Sequence, residues 1–148
     1  MLVNLVSQEL IQLNVDAKDW KEAIIASAQP LLNEGKIEQT YIDSMIEAVN
    51  ESGPYFVLLP HVALPHARHE KGALEDALGI TVLSNPVNFS NPVNDPVKYI
   101  FTLSATSNDK HLVALAELAE LFEDQAFFKL LDDAVSSDEI YDYLKLIA

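Results

Sequence analysis

Pro54-Tyr55-Phe56-Val57-Leu58-Leu59-Pro60, followed at once by His61-Val62-Ala63-Leu64-Pro65-His66-Ala67-Arg68-His69, is the stretch on which the fold turns. Tyr55 to Leu59 is a short apolar run closed by proline at either end, which suits a buried strand. Pro60 and Pro65 each fix φ and restrict the residue before them, so no helix runs through the histidines. The segment therefore reads as a strand followed by a stiff, exposed loop, a common mount for a reactive group.

Upstream the apolar spacing changes to three and four. Asp16 or Asp19 can cap a helix that carries Trp20, Ala23, Ile24, Ala28 and Leu31 on one stripe. Pro30 falls inside this pattern and is expected to bend or locally break it, because it lacks an amide and crowds the preceding turn. A second helix is expected from Glu38 to Glu51, with Tyr41, Met45, Ile46 and Val49 inward and Gly53 as its stop.

Downstream, Ala77 to Leu83 and Val97 to Leu103 read as two more strands. They are joined by a turn-rich link holding Pro86, Asn88, Asn91, Pro92, Asn94, Asp95 and Pro96, in which Asp95 is read as a turn former. Ser107 or Asn108 can cap a long helix to about Phe122, with Leu112, Leu115, Leu118, Ala119 and Phe122 at helical spacing. Two shorter helices are expected around Ala126 to Leu131 and Asp138 to Leu146. Helices flank strands on both sides in sequence, so the expected class is α/β, a small mixed sheet sandwiched between helices.

The bulk numbers bound what such a chain can do. At 148 residues, 49% hydrophobic and 22% charged, it is expected to form a single domain over 1–148 with a core of its own. Cysteine is absent, which removes disulfides, thiolate metal sites and cysteine nucleophiles. With 23 acidic and 9 basic residues the formal net charge is -14, so nucleic acid and anionic membrane surfaces are poor partners. No apolar run approaches the roughly 20 residues of a membrane span. Met1 to Leu13 also lacks the basic leader of a signal peptide, and a cytoplasmic location is expected.

Three of the four histidines, His61, His66 and His69, fall within nine residues, beside Arg68. Imidazole has a reference pKa of about 6.5, so near neutral pH much of it is uncharged with one nitrogen lone pair free to attack phosphorus. The same nitrogen leaves again readily, so one ring can accept a phosphoryl group and pass it on. Arg68 offers forked donors matched to phosphate oxygens, although it can equally pair with Glu70 on the surface. His111 falls in the first turn of the helix after Ser107, where unpaired amides and the helix dipole favour an anion. Ser104 and Thr106 add hydroxyls nearby in sequence. A metal site built on the clustered histidines is the competing chemistry; irregular spacing, no cysteine and a single neighbouring carboxylate, Glu70, count against it.

The run Ala63-Leu64-Pro65-His66-Ala67-Arg68 resembles the phosphorylation-site motif of the mannitol and fructose class of enzyme IIA components of the bacterial phosphotransferase system. Gly53-Pro54-Tyr55-Phe56-Val57, Asn94-Asp95-Pro96-Val97, His111 at the head of a helix and Leu121-Phe122-Glu123-Asp124 resemble its ascorbate-type branch. The resemblance implies a mixed sheet between helices, with no metal or organic cofactor. It implies that His66 takes a phosphoryl group from phospho-HPr and passes it to a cysteine of a cognate enzyme IIB, whose membrane partner, enzyme IIC, moves the sugar. It implies that His111 stabilises the phosphorylated state and that Arg68 is an active-site arginine. A homodimer is compatible with it. The alternative is a regulatory enzyme IIA-like domain whose phosphorylation is sensed by a transcription factor or kinase. Two positions depart from the family pattern: His61 stands where Gly is usual, and Ala67 where Gly is common. His69 has no role that the resemblance transfers.

Overall fold

The computed structural model describes residues 1–148 and contains one five-stranded mixed sheet. Its strands are β1 Ile11–Val15, β2 Val57–Leu59, β3 Val62–Ala63, β4 Ala77–Val87 and β5 Val97–Ser104, in the spatial order β1-β4-β5-β3-β2. β4 and β5 are antiparallel, as are β2 and β3, whereas β1 runs parallel to β4 and β3 parallel to β5. The helices are α1 Trp20–Asn33, α2 Gln39–Ser52, α3 Asn108–Leu121, α4 Gln125–Asp133 and α5 Ser137–Ile147. None is long and apolar enough to cross a membrane.

The two central strands are apolar on both faces because both faces are covered. On β4, Leu78, Ile80 and Val82 join Leu118, Phe127, Ile140 and Leu144 of α3, α4 and α5 in one core. The alternate residues Ala77 and Leu83 join Ile24, Ala28, Leu31 and Met45 of α1 and α2 in the other. Between them Gly79 leaves room for α1, since a Cβ there would stand 2.6 Å from Leu31 Cδ1. The expected mixed sheet between helices is the fold observed.

Several local expectations need correction. Pro30 does not break α1, which continues to Asn33. Having no amide, Pro30 cannot donate to the Ala26 carbonyl four residues back. Gln12 Nε2 on β1 takes that role at 2.9 Å and also donates to Thr81 Oγ1 on β4 at 3.0 Å. The helix is capped by Asp19, which accepts from the Glu22 amide at 2.9 Å, and not by Asp16. β1 itself is an element the sequence did not suggest.

The strand expected over Tyr55 to Leu59 shortens to Val57–Leu59, because the Val57 amide donates to Pro54 O and pulls Tyr55 and Phe56 into a turn. β2 is an edge strand, so Leu58 and Leu59 are exposed rather than buried. β4 runs four residues beyond the expected end, through Pro86 to Val87, where it pairs with Val97. Asp95 organises the intervening turn as expected: its two carboxylate oxygens accept from the Phe89 and Asn91 amides, each at 2.8 Å.

Candidate functional site

Parallel pairing brings the two candidate histidines to one place. β3 and β5 are neighbours running the same way, with Val62 opposite Tyr99 and Ala63 opposite Ile100. The chain leaving β3 reaches His66, and the chain leaving β5 reaches α3 and His111, so both emerge at the same end of the sheet. Past β3 the alignment is prolonged by the Leu103 amide, which donates to Pro65 O at 3.1 Å. The two imidazole centroids are 5.1 Å apart and their planes lie at 43°.

His66 is half-buried, and its Nδ1 lies 2.7 Å from Leu64 O. A carbonyl can only accept, so Nδ1 carries the proton, and in the neutral ring the Nε2 lone pair is left bare. Two tyrosines grip the peptide unit that joins His66 to Ala67. Tyr55 Oη donates to His66 O at 2.6 Å, and its ring stands edge-on to the imidazole with centroids 5.6 Å apart. Tyr41, reaching in from α2, accepts from the Ala67 amide at 3.1 Å and donates to Leu103 O at 2.7 Å.

His111 occupies the first turn of α3, which Ser107 caps by accepting from the Lys110 amide at 3.2 Å. Burial, and then the neighbouring His66, hold the His111 pKa below its ordinary value. The ring is therefore neutral at pH 7 and keeps one N–H to donate. Asp76 fastens the segment that carries it: Oδ1 accepts from the Thr106 amide at 2.7 Å and hydroxyl at 3.0 Å, and Oδ2 meets Lys110 Nζ at 2.9 Å.

His66 and His111 open onto a cleft of about 560 Å³, also lined by Tyr55, Arg68, His69 and Glu47. Arg68 stands on the exposed rim, its Nε paired with Glu70 at 2.8 Å, and His69 Nε2 lies 3.4 Å from the other Glu70 oxygen. Three candidates lie elsewhere. The buried Ser104 donates its hydroxyl to Glu75 O at 2.8 Å, and Thr106 is held by Asp76; neither lines the cleft. His61 sits at the opposite end of β3 from His66, with its Nδ1 on Pro96 O at 2.8 Å. The histidines do not converge as a set of metal ligands.

Residues 4–146 match the family described as phosphoenolpyruvate-dependent sugar phosphotransferase system, EIIA 2. The chain belongs to this enzyme IIA family. It is similar to the mannitol-specific cryptic phosphotransferase enzyme IIA component of Escherichia coli, at 39% identity over 129 residues covering 86% of each chain. The solution structure of that protein superposes with a TM-score of 0.85 at 34% identity, covering 96% of this chain and 97% of the other. An ascorbate-specific EIIA component from Shigella boydii is 30% identical over 142 residues, covering 95% and 92%. A mannitol enzyme IIA in complex with phosphorylated enzyme IIB from Escherichia coli shares the fold, with a TM-score of 0.82 at 22% identity over 95% and 96%.

Within this family the chain is an enzyme IIA phosphotransferase component. The departure at His61 now has a backbone meaning, since its φ of 70° lies in the left-handed region that glycine enters most freely. Here a histidine adopts it, with its amide donating to Asn94 O at 2.9 Å. Ala67 is not among the residues with positive φ, so alanine serves there as well as glycine. Tyr41, Tyr55 and Asp76 are the contributors that sequence reasoning missed at this site. Tyr55 stood in view within the family-like run Gly53 to Val57, but nothing in that run discloses a bond to His66.

Proposed function

We propose that His66 is the phosphoryl acceptor of this enzyme IIA, taking the group from phospho-HPr in the cytoplasm and passing it to a cysteine of an enzyme IIB that serves an enzyme IIC. The observation that carries this reading is the Nδ1 bond to Leu64 O, which fixes the tautomer and leaves Nε2 as the nucleophile. The Nε2 lone pair forms a bond to phosphorus while the bond to the donor breaks, and the donor atom keeps that electron pair. In the second half a thiolate attacks the same phosphorus and Nε2 leaves with its own pair.

Catalysis in such a transfer is mostly positioning and charge stabilisation. His111, neutral and within one ring's reach, donates its N–H to a phosphoryl oxygen. Arg68, exposed on the rim of the same cleft, supplies positive charge once it exchanges Glu70 for the phosphoryl group. The mannitol and ascorbate names of the relatives point to a carbohydrate-derived or polyol cargo, with ascorbate favoured by the branch-specific runs in the sequence.

The test is labelling with enzyme I, HPr and labelled phosphoenolpyruvate. The chain should gain one acid-labile phosphate, and His66→Ala should abolish it. Label that survives in this variant moves the acceptor to another residue.

A further inference from the structure

We propose that Tyr55 is a positioning residue for the transfer, holding the His66 backbone and ring in the orientation that Nε2 needs to meet phosphorus; this rests on the reading of His66 as acceptor. Tyr55 belongs to no strand or helix, and two-fifths of its surface is exposed, which is more than core packing requires. Its two contacts with the acceptor are specific. The phenol donates to His66 O at 2.6 Å, and the ring meets the imidazole edge-on at 5.6 Å and 76°.

The loop needs this donor. Pro65 O is taken by the Leu103 amide and the Ala67 amide by Tyr41, but the His66 carbonyl between them has no strand opposite to answer it. Burial raises the Tyr55 pKa, so the phenol keeps its proton and stays a donor across the neutral range.

The ring is itself anchored. Tyr55 stands edge-on to the fully buried Phe56 at 4.9 Å, and Phe56 edge-on to the buried Phe89 at 6.1 Å. A ladder of edge-to-face rings thus runs from the core to the acceptor, with geometry favoured by the aromatic quadrupole. The imidazole is held by Leu64 O at Nδ1, by Tyr55 and by His111. A phosphoryl group arriving on Nε2 pulls on this ring, and turning it would sacrifice the Nδ1 bond. Small misplacements of a reacting group are costly to rate, so a clamp on both backbone and ring acts on the transfer step itself.

Two full-length variants test this. Tyr55→Phe keeps the ladder and removes the phenol; Tyr55→Leu removes both. Acceptance of phosphate from phospho-HPr is followed at varied HPr, beside thermal melts and the ¹⁵N spectrum of the His66 ring, with His66→Ala in the same assay. Tyr55→Phe should lower kcat about fivefold, the worth of one hydrogen bond, with KM for HPr and Tm nearly unchanged. Tyr55→Leu should lower kcat further and replace the single Nδ1–H tautomer by a mixture. Wild-type kcat in both variants, a loss confined to KM, or a loss that follows Tm overturns the proposal. If His66→Ala abolishes label while the Tyr55 variants transfer normally, only the positioning role falls. If His66→Ala keeps its label, the acceptor assignment fails first and takes this role with it.

Discussion

The imidazoles of His66 and His111 lie 5.1 Å apart between centroids with their planes at 43°, so a phosphoryl group on His66, as proposed, would come within hydrogen-bonding reach of His111. His111→Ala removes that donor from a half-buried position at the head of α3 without taking out core volume. Its transfer rate should fall by about 100-fold, the usual cost of one lost oxyanion donor, with the circular dichroism spectrum unchanged. His111→Gln should recover part of the rate. Single-turnover transfer from phospho-HPr measures both.

The His111 titration should report what its neighbour carries. Burial and then His66 depress its pKa, so in the resting protein it should titrate below the ordinary value near 6.5. A phosphoryl dianion on His66 reverses the second influence and should raise the His111 pKa. His66→Ala removes only that second influence, so the pKa should rise partway while burial still holds it down. Carbon-bound proton shifts of the ring across pH 4 to 9 would show all three curves, and a curve that ignores phosphorylation separates the two rings functionally.

Asp76 gives a stability signature with a definite sign. Burial alone would raise its carboxyl, but the Thr106 amide, Lys110 and the Thr106 hydroxyl outweigh burial and hold the pKa below the ordinary carboxylate value. Folding therefore favours the ionised form. The contribution is complete above the unfolded value of about 3.9 and is lost as pH falls through the lower folded value. Asp76→Asn should cost about 1 kcal/mol at pH 7. The gap between variant and wild type should close in urea melts below about pH 4.

The Gln12 bridge to α1 can be tested by a double-mutant cycle. Gln12→Ala strands the Ala26 carbonyl, which Pro30 cannot answer, and takes a partner from the buried Thr81 hydroxyl. A loss of about 1 to 2 kcal/mol is expected. Pro30→Ala restores a backbone amide opposite Ala26, so Gln12→Ala should cost less in that background. Equal costs in both backgrounds would mean that Thr81 alone explains Gln12.

What could be read in the sequence was whatever is decided locally. Asp19, Ser107 and Gly53 act at the helix ends where capping chemistry put them, with Gly53 at φ 82°. β4 and β5 carry apolar residues on both faces and stood out as strands. β1 did not, because Gln12 and Asn14 interrupt its apolar run, and its place is set by pairing with Ile80, Thr81 and Leu83 far along the chain. The continuation of α1 past Pro30 was hidden for the same reason: its compensating donor sits on another element. At the site, His66, Arg68 and His111 were visible as reactive types at suggestive spacing. Ser104, Thr106 and His61 were drawn in by sequence proximity alone, which says nothing about which end of a strand a side chain occupies. Tyr41 and Tyr55 act through backbone atoms of other residues, a role that no motif of residue types encodes.

β5 separates two ends of the molecule with eight residues, at about 3.3 Å each. The His66 and His111 rings occupy its finishing end, while the asparagine-rich turn that carries Val93, 84% exposed, occupies its starting end. A dye or affinity handle placed at Val93 therefore rides on the far pole of the molecule, where it can report docking of a partner protein without covering the cleft that His66 and His111 line.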